Sequence, residues 1–343
     1  MKTFVGKLVG TILISASVAV ASAQGKLRVF FIDVEGGQAT LFVTPEGESL
    51  LVDTGWPGNG GRDAERIAST AKKAGLSKID YVLITHYHAD HAGGIPQLMA
   101  KIPVGTFLDH GPNREFDKDI TEKDYAEYQK ELAKGTSKVI HEVPGNVLPI
   151  KGMTATVISA DGKVIDKALP GGGEANSYCA GAPTPQADVT ENSRSLGIAI
   201  QFGKLRILDL GDLTKDKERL LACPMNKLGH VDIYIVSHHG WDQSSSKPFV
   251  DAIGARVAIM NNGEAKGGST PVLQTIKAAP GLETLWQVHY SKEGGEANNT
   301  AAEYIANPLG TDAGFGFELS AGKDGSFDVT NGRTKVTKHY SAK

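Results

Sequence analysis

Thr85-His86-Tyr87-His88-Ala89-Asp90-His91 puts four metal-capable side chains into six consecutive positions. No other stretch restricts the possible folds of this chain as much. The run follows the short apolar segment Ile79 to Thr85, which can be buried on both faces, and precedes helical spacing around Ile95 to Lys101. In an extended stretch residues two apart face the same way, so His86 and His88 can meet one ion. Asp90 and His91, in the turn into the helix, can point to another. Without a metal such a cluster would repel itself or stay unpaired. The spacing suits two ions in one pocket.

Two later segments end in the same way. Leu205 to Leu210 reads as the second strand of a hairpin with Ser195 to Phe202, and Gly211-Asp212 follows it; Val231 to Ser237 is another strand, followed by His238-His239-Gly240. A carboxylate at Asp212 is placed to bridge two cations, and either His238 or His239 can complete the second ion's ligands. The rest of the chain supplies layers for such a site. Leu27 to Val34, Ala39 to Thr44, Ser49 to Asp53 and Val257 to Met260 read as strands, and Asp63 to Ala74, 117 to 134 and Thr214 to Ala222 as helices. Lys163 to Thr190, rich in Gly, Pro, Ala and Ser, reads as a long irregular loop of the functional kind. No repeat or linker interrupts residues 24 to 343, so one α/β domain with a two-sheet core and flanking helices is the economical reading.

Charge and cysteine content limit partners and compartment. Lys and Arg number 36 against 39 Asp and Glu, a net charge of −3, so no global positive field holds nucleic acid or an anionic membrane. Lys2 and Lys7, the apolar run Leu8 to Val20 and Ala21-Ser22-Ala23 form the pattern of a cleaved signal peptide over residues 1 to 23. The run is shorter than the ~20 apolar residues of a spanning helix. The expected location is therefore periplasmic or secreted, with no membrane attachment after cleavage. In an oxidising compartment Cys179 and Cys223 can form a disulfide; two separate buried thiols fit the sequence equally well.

The H-x-H-x-D-H run His86, His88, Asp90, His91 resembles the signature of the metallo-β-lactamase superfamily. Asp33 in Phe-Ile-Asp-Val-Glu-Gly-Gly-Gln, Asp53 in Leu-Val-Asp-Thr-Gly, Asn192-x-x-Ser195-Leu196, Gly211-Asp212 and His238-His239-Gly240 are similar to motifs of one branch. That branch includes the DNA-uptake channel protein ComEC and phosphorylcholine esterases. The resemblance implies an αββα four-layer sandwich, with metals at one edge between the sheets, and a hydrolase. It also implies that Asp53 accepts a histidine N–H and fixes its tautomer, with Asp33 in a similar supporting role. Many members supply a third histidine to the first metal near residue 192, where this chain reads Glu191-Asn192-Ser193. Asn192, Glu191 and His110 are candidates for that place, and His141 and His289 are weaker ones.

Two divalent ions about 3.5 to 4 Å apart can share a water and lower its pKa from 15.7 toward ~7, giving a hydroxide nucleophile. Zinc is the expected metal, with manganese an alternative if the first ion is held by harder ligands. Asp90 and Asp212 are the candidate catalytic carboxylates. Trp241, Ser244 to Ser246, Arg114 and Lys118 are candidate substrate contacts. The expected substrate, small or polymeric, is a phosphoric ester or diester. The alternatives are a lactone, carboxylic ester or β-lactam, or a metal-stabilised binding protein without turnover.

Overall fold

The computed structural model describes residues 25–343; the expected signal peptide lies outside the described residues. Strand Leu27–Phe31 shows why the fold is layered. Val29 and Phe31 pack on one side with Val157, Ile198 and Ile259, while Phe30 and Ile32 pack on the other with Ile67, Ile95 and Leu98. Alternate residues of a strand face opposite ways, so a strand apolar at successive positions must be covered on both faces.

Among the described residues the first large sheet has nine strands. Its order is Thr337–Tyr340, Phe327–Asn331, Phe317–Ala321, Leu27–Phe31, Thr40–Val43, Ser49–Val52, Ile79–Leu83, Val104–Asp109 and Lys138–His141. The second has eight: Ile305–Asn307, Thr284–His289, Val257–Met260, Ile233–Ile235, Leu205–Asp209, Gly197–Phe202, Thr154–Ala160 and Lys163–Val164. Helices Arg62–Lys73, Ile95–Met99 and Asp119–Ala133 cover the outside of the first sheet. Lys215–Ala222, Lys247–Ile253 and Thr270–Lys277 cover the second. The architecture is an αββα sandwich. The inner layer is closed by Trp286, fully buried, whose Nε1 donates to Tyr340 Oη at 3.0 Å.

The direction of the strands positions the site. Ser49–Val52, Ile79–Leu83, Val104–Asp109 and Lys138–His141 run parallel in one sheet, and Leu205–Asp209, Ile233–Ile235, Val257–Met260 and Thr284–His289 run parallel in the other. Parallel neighbours bring their C-terminal ends to one edge, where their loops can converge. The segment 163 to 190 is less irregular than its composition suggests. It contributes Lys163–Val164 to the second sheet, and Glu174–Ala175 pairs with Met225–Asn226. Cys179 and Cys223 are disulfide-bonded, which ties this segment to the end of helix Lys215–Ala222. No helix among the described residues is long and apolar enough to cross a membrane.

Candidate metal centre

The segment after Ile79–Leu83 is held by the loop after Ser49–Val52. Asp53, in the left-handed region at φ 61°, accepts from Thr85 N at 2.8 Å, Thr85 Oγ1 at 2.8 Å and His91 Nδ1 at 2.7 Å. That last bond fixes the tautomer of His91 and turns Nε2 inward. His239 is oriented likewise, its Nδ1 lying 3.2 Å from Asn261 O. On His86, Nδ1 faces Thr85 Oγ1 at 3.1 Å and Ser195 Oγ at 3.4 Å, and Ser195 Oγ also accepts from Asp212 N.

The Nε2 atoms of His91 and His239 converge on two carboxylates. His91 Nε2 is 3.2 Å from Asp90 Oδ2 and 3.3 Å from Asp212 Oδ2; His239 Nε2 is 3.0 Å from Asp90 Oδ2 and 3.4 Å from Asp212 Oδ1. These four residues are buried and each offers an atom within 4.8 Å of the others. Beside them His86 Nε2 stands 3.0 Å from His88 Nδ1 and 3.9 Å from Asp212 Oδ2. Asp212 therefore lies between two poles. Gly211 is what lets it come so close: at φ 54°, with an added Cβ only 2.7 Å from Thr85 Cβ, no larger residue fits there.

His238 and His239, both at positive φ in the turn after Ile233–Ile235, are separated by this geometry. His239 joins the four-residue pole. His238 Nε2 instead faces Asp212 Oδ2 at 3.4 Å and Asn192 Nδ2 at 3.5 Å.

The electrostatics fit a cation. Burial pushes the His86 ring well below its ordinary value, and the His91 and His88 rings add to this. Burial acts the same way on His91, but Asp212, Asp90 and Asp53 outweigh it and hold that ring well above its ordinary value. Burial disfavours the charged carboxylates of Asp90 and Asp212, yet the histidines around both, with Lys266 beside Asp90, hold them well below the usual range. His238 is lowered by burial to about 4. Asp212 Oδ1 and Asn192 Oδ1 are buried without a hydrogen-bond partner. Imidazoles with one nitrogen anchored and the other turned inward, around carboxylates left with spare acceptor capacity, suit a divalent metal ion.

Several other residues lie elsewhere than expected. His110 Nε2 bonds Glu191 Oε2 at 3.0 Å and the His110 ring packs on Tyr87, so neither it nor Glu191 joins the cluster; Glu191 also accepts from Arg114 N. Asn192 does reach the site, beside His238. His141 bonds Asp109. Asp33 touches none of the cluster: it accepts from His289 Nε2 at 2.7 Å, Glu35 N, Arg66 and Asn307. Four donors saturate it, and the Asp33, Glu35 and His289 group is a network of ion pairs. Arg114 pairs with Asp161, and the backbone N–H groups of Ser245 and Ser246 donate to Glu218. Trp241 lies edge-on to His238.

Two contacts were missed. Glu115 Oε2 is 2.8 Å from His88 Nε2, while Lys118 and Thr121 donate to the same carboxylate. Lys266 contacts Asp90. Its loop follows Val257–Met260, a strand parallel to those that precede Asp212 and His238, and that shared strand-end position is the sequence signal for it.

The metallo-beta-lactamase superfamily model matches residues 33–164. The chain is 26% identical to Recombination protein 2 of Haemophilus influenzae over 237 residues, 69% of this chain and 24% of that one. It is 34% identical to the atrochrysone carboxyl ACP thioesterase dmxR1 of a Cryptosporiopsis species over 80 residues, 23% of this chain and 24% of that one. The chain thus spans about a quarter of the length of these curated relatives. Among solved structures it is similar to the metallo-beta-lactamase fold protein YhfI of Bacillus subtilis, with 17% identity, coverage of 77% and 96% and a TM-score of 0.46. Residues 33–164, which carry the H-x-H-x-D-H run, thus match the metallo-β-lactamase superfamily.

Proposed function

We propose that this chain is an exported hydrolase that uses two divalent cations, zinc or manganese, and acts on a phosphoric ester or diester. The observation that carries the reading is Asp212, a buried carboxylate set between His86 and His88 on one side and Asp90, His91 and His239 on the other. His86 and His88 would hold one ion, Asp90, His91 and His239 the other, and Asp212 both. Bound there, a pair of cations supplies Lewis acidity, polarising a substrate oxygen and lowering the pKa of a water.

The chain's own groups then do the rest. Asp53 and Asn261 O keep His91 and His239 in the tautomers that present Nε2. His238, unpaired with Asp90 and aimed at Asp212, faces the same space and can hold a substrate oxygen. Trp241 limits the movement of that ring. Export is supported by the signal-like residues 1 to 23 and by the bond between Cys179 and Cys223. The substrate preference rests on the resemblance to the phosphoric-ester branch.

A second reading, hydrolysis of a carboxyl derivative, is favoured by the identity to a fungal thioesterase over 80 residues. Turnover of bis-p-nitrophenyl phosphate, p-nitrophenyl acetate and a thioester by metal-loaded protein separates the two. Metal-dependent diester cleavage supports the first reading, ester or thioester cleavage alone the second. A loaded, folded protein that cleaves none of them is a binding protein.

A further inference from the structure

Lys266 lies inside the cluster that a cation would use. Its Nζ contacts Asp90 Oδ2, the oxygen that also faces His239 Nε2 at 3.0 Å and His91 Nε2 at 3.2 Å. Nζ donates to Gly36 O at 2.7 Å as well. Two indoles flank it, with the Trp56 ring centre 4.8 Å away and that of Trp241 5.5 Å away. The backbone that carries it is pinned. Gly268 N donates to His239 O at 2.9 Å, and Gly267, at φ 79°, lies so close that an added Cβ would be 2.1 Å from His239 O. The backbone is fixed and the four-carbon stem is flexible. The side chain is 20% exposed, so its ammonium is not sealed in the site.

An ammonium on a carboxylate oxygen weakens the hold of that oxygen on a divalent ion, because like charges a few ångströms apart repel in a desolvated site. We propose that Lys266 is a tethered cation with two stations: the one seen, against Asp90, where it competes with a divalent ion, and a second reached by a swing of its stem along Trp56 and Trp241, where it takes an anionic substrate oxygen. Gly36 O and the indole faces, which already contact Nζ in its place against Asp90, stay within reach of the ammonium as its stem swings. The first station is independent of the hydrolase reading; the second rests on the phosphoric-ester reading given above.

The test is metal titration by calorimetry of the chelator-treated full chain with Zn²⁺ and with Mn²⁺, as wild type, Lys266→Met and Lys266→Arg, with thermal melts to show folding. Removal of the competing charge tightens binding at this pole by about tenfold or more in Lys266→Met, whereas Lys266→Arg stays near wild type. Most site variants weaken metal binding, so an increase is diagnostic. Unchanged or weaker binding in Lys266→Met overturns the first station. With saturating metal, Lys266→Met raises KM for bis-p-nitrophenyl phosphate about tenfold, the loss of one charge-assisted hydrogen bond, and leaves KM for p-nitrophenyl acetate unchanged. Equal effects on both substrates overturn the second station. If the wild type does not cleave bis-p-nitrophenyl phosphate, the phosphoric-ester reading fails and the second station with it, while the titration still decides the first.

Discussion

The two poles of the candidate centre are furnished differently. Asp90, His91, Asp212 and His239 form a compact set with two carboxylates, and the outward nitrogen of each histidine is tied to a fixed acceptor. The inner nitrogen of His86 faces Asp212 Oδ2 at the longer distance of 3.9 Å, Glu115 sits on the outer nitrogen of His88, and the neutral side chain of Asn192 lies beside His238. Buried anions set the affinity of a site for divalent cations. The four-residue pole should therefore bind first and tightest, and the histidine pair should depend on its supports.

Removing the shared anion is the most severe test of this contrast. Asp212→Ala should empty both poles and lower turnover by more than about a hundredfold, beyond the 10–100-fold typical of residues that only orient ligands. Metal content by elemental analysis that stays at the wild-type value breaks the assignment. His239→Ala should strip the four-residue pole, whereas His238→Ala should keep the metal content and lose turnover. Equal metal loss in both variants removes the distinction between the two rings.

Glu115 tests the weaker pole alone. Glu115→Ala should weaken metal binding there about 10–100-fold while sparing the other pole, and Glu115→Gln, which still accepts a hydrogen bond, should recover part of it. Burial pushes the Glu115 carboxyl up, but His88 and Lys118 outweigh it and hold it at about 2 against an ordinary 4.5. Because the folded value is depressed, the stability gained from ionised Glu115 is present above pH 4.5 and lost as pH falls toward 2. Acid unfolding of Glu115→Gln should lack that contribution; matching acid limits in variant and wild type would count against the bond to His88.

The layers were legible because strands and helices are local. Apolar runs such as Leu205 to Leu210 and Val257 to Met260, and the spacing of Ile67, Ala71 and Ala74, follow from short-range periodicity. The strands after residue 284 were not assigned from the sequence, yet Phe317–Ala321 pairs with Leu27–Phe31 and extends the first sheet. Asp33 was placed beside the metal ligands by its motif; the fold gives it to His289, 256 residues away.

The sequence by itself determined that His86, His88, Asp90 and His91 share one strand end, since their relation is set by a few consecutive dihedral angles. Tertiary structure decided what meets them. His239 lies 149 residues from Asp90 and Lys266 lies 176 from it, and only the pairing of parallel strands in two facing sheets brings those loops to one edge. The choice of His239 over His238, the exclusion of His110 and the use of Glu115 all depend on side-chain directions at that edge, which packing fixes and residue spacing does not encode.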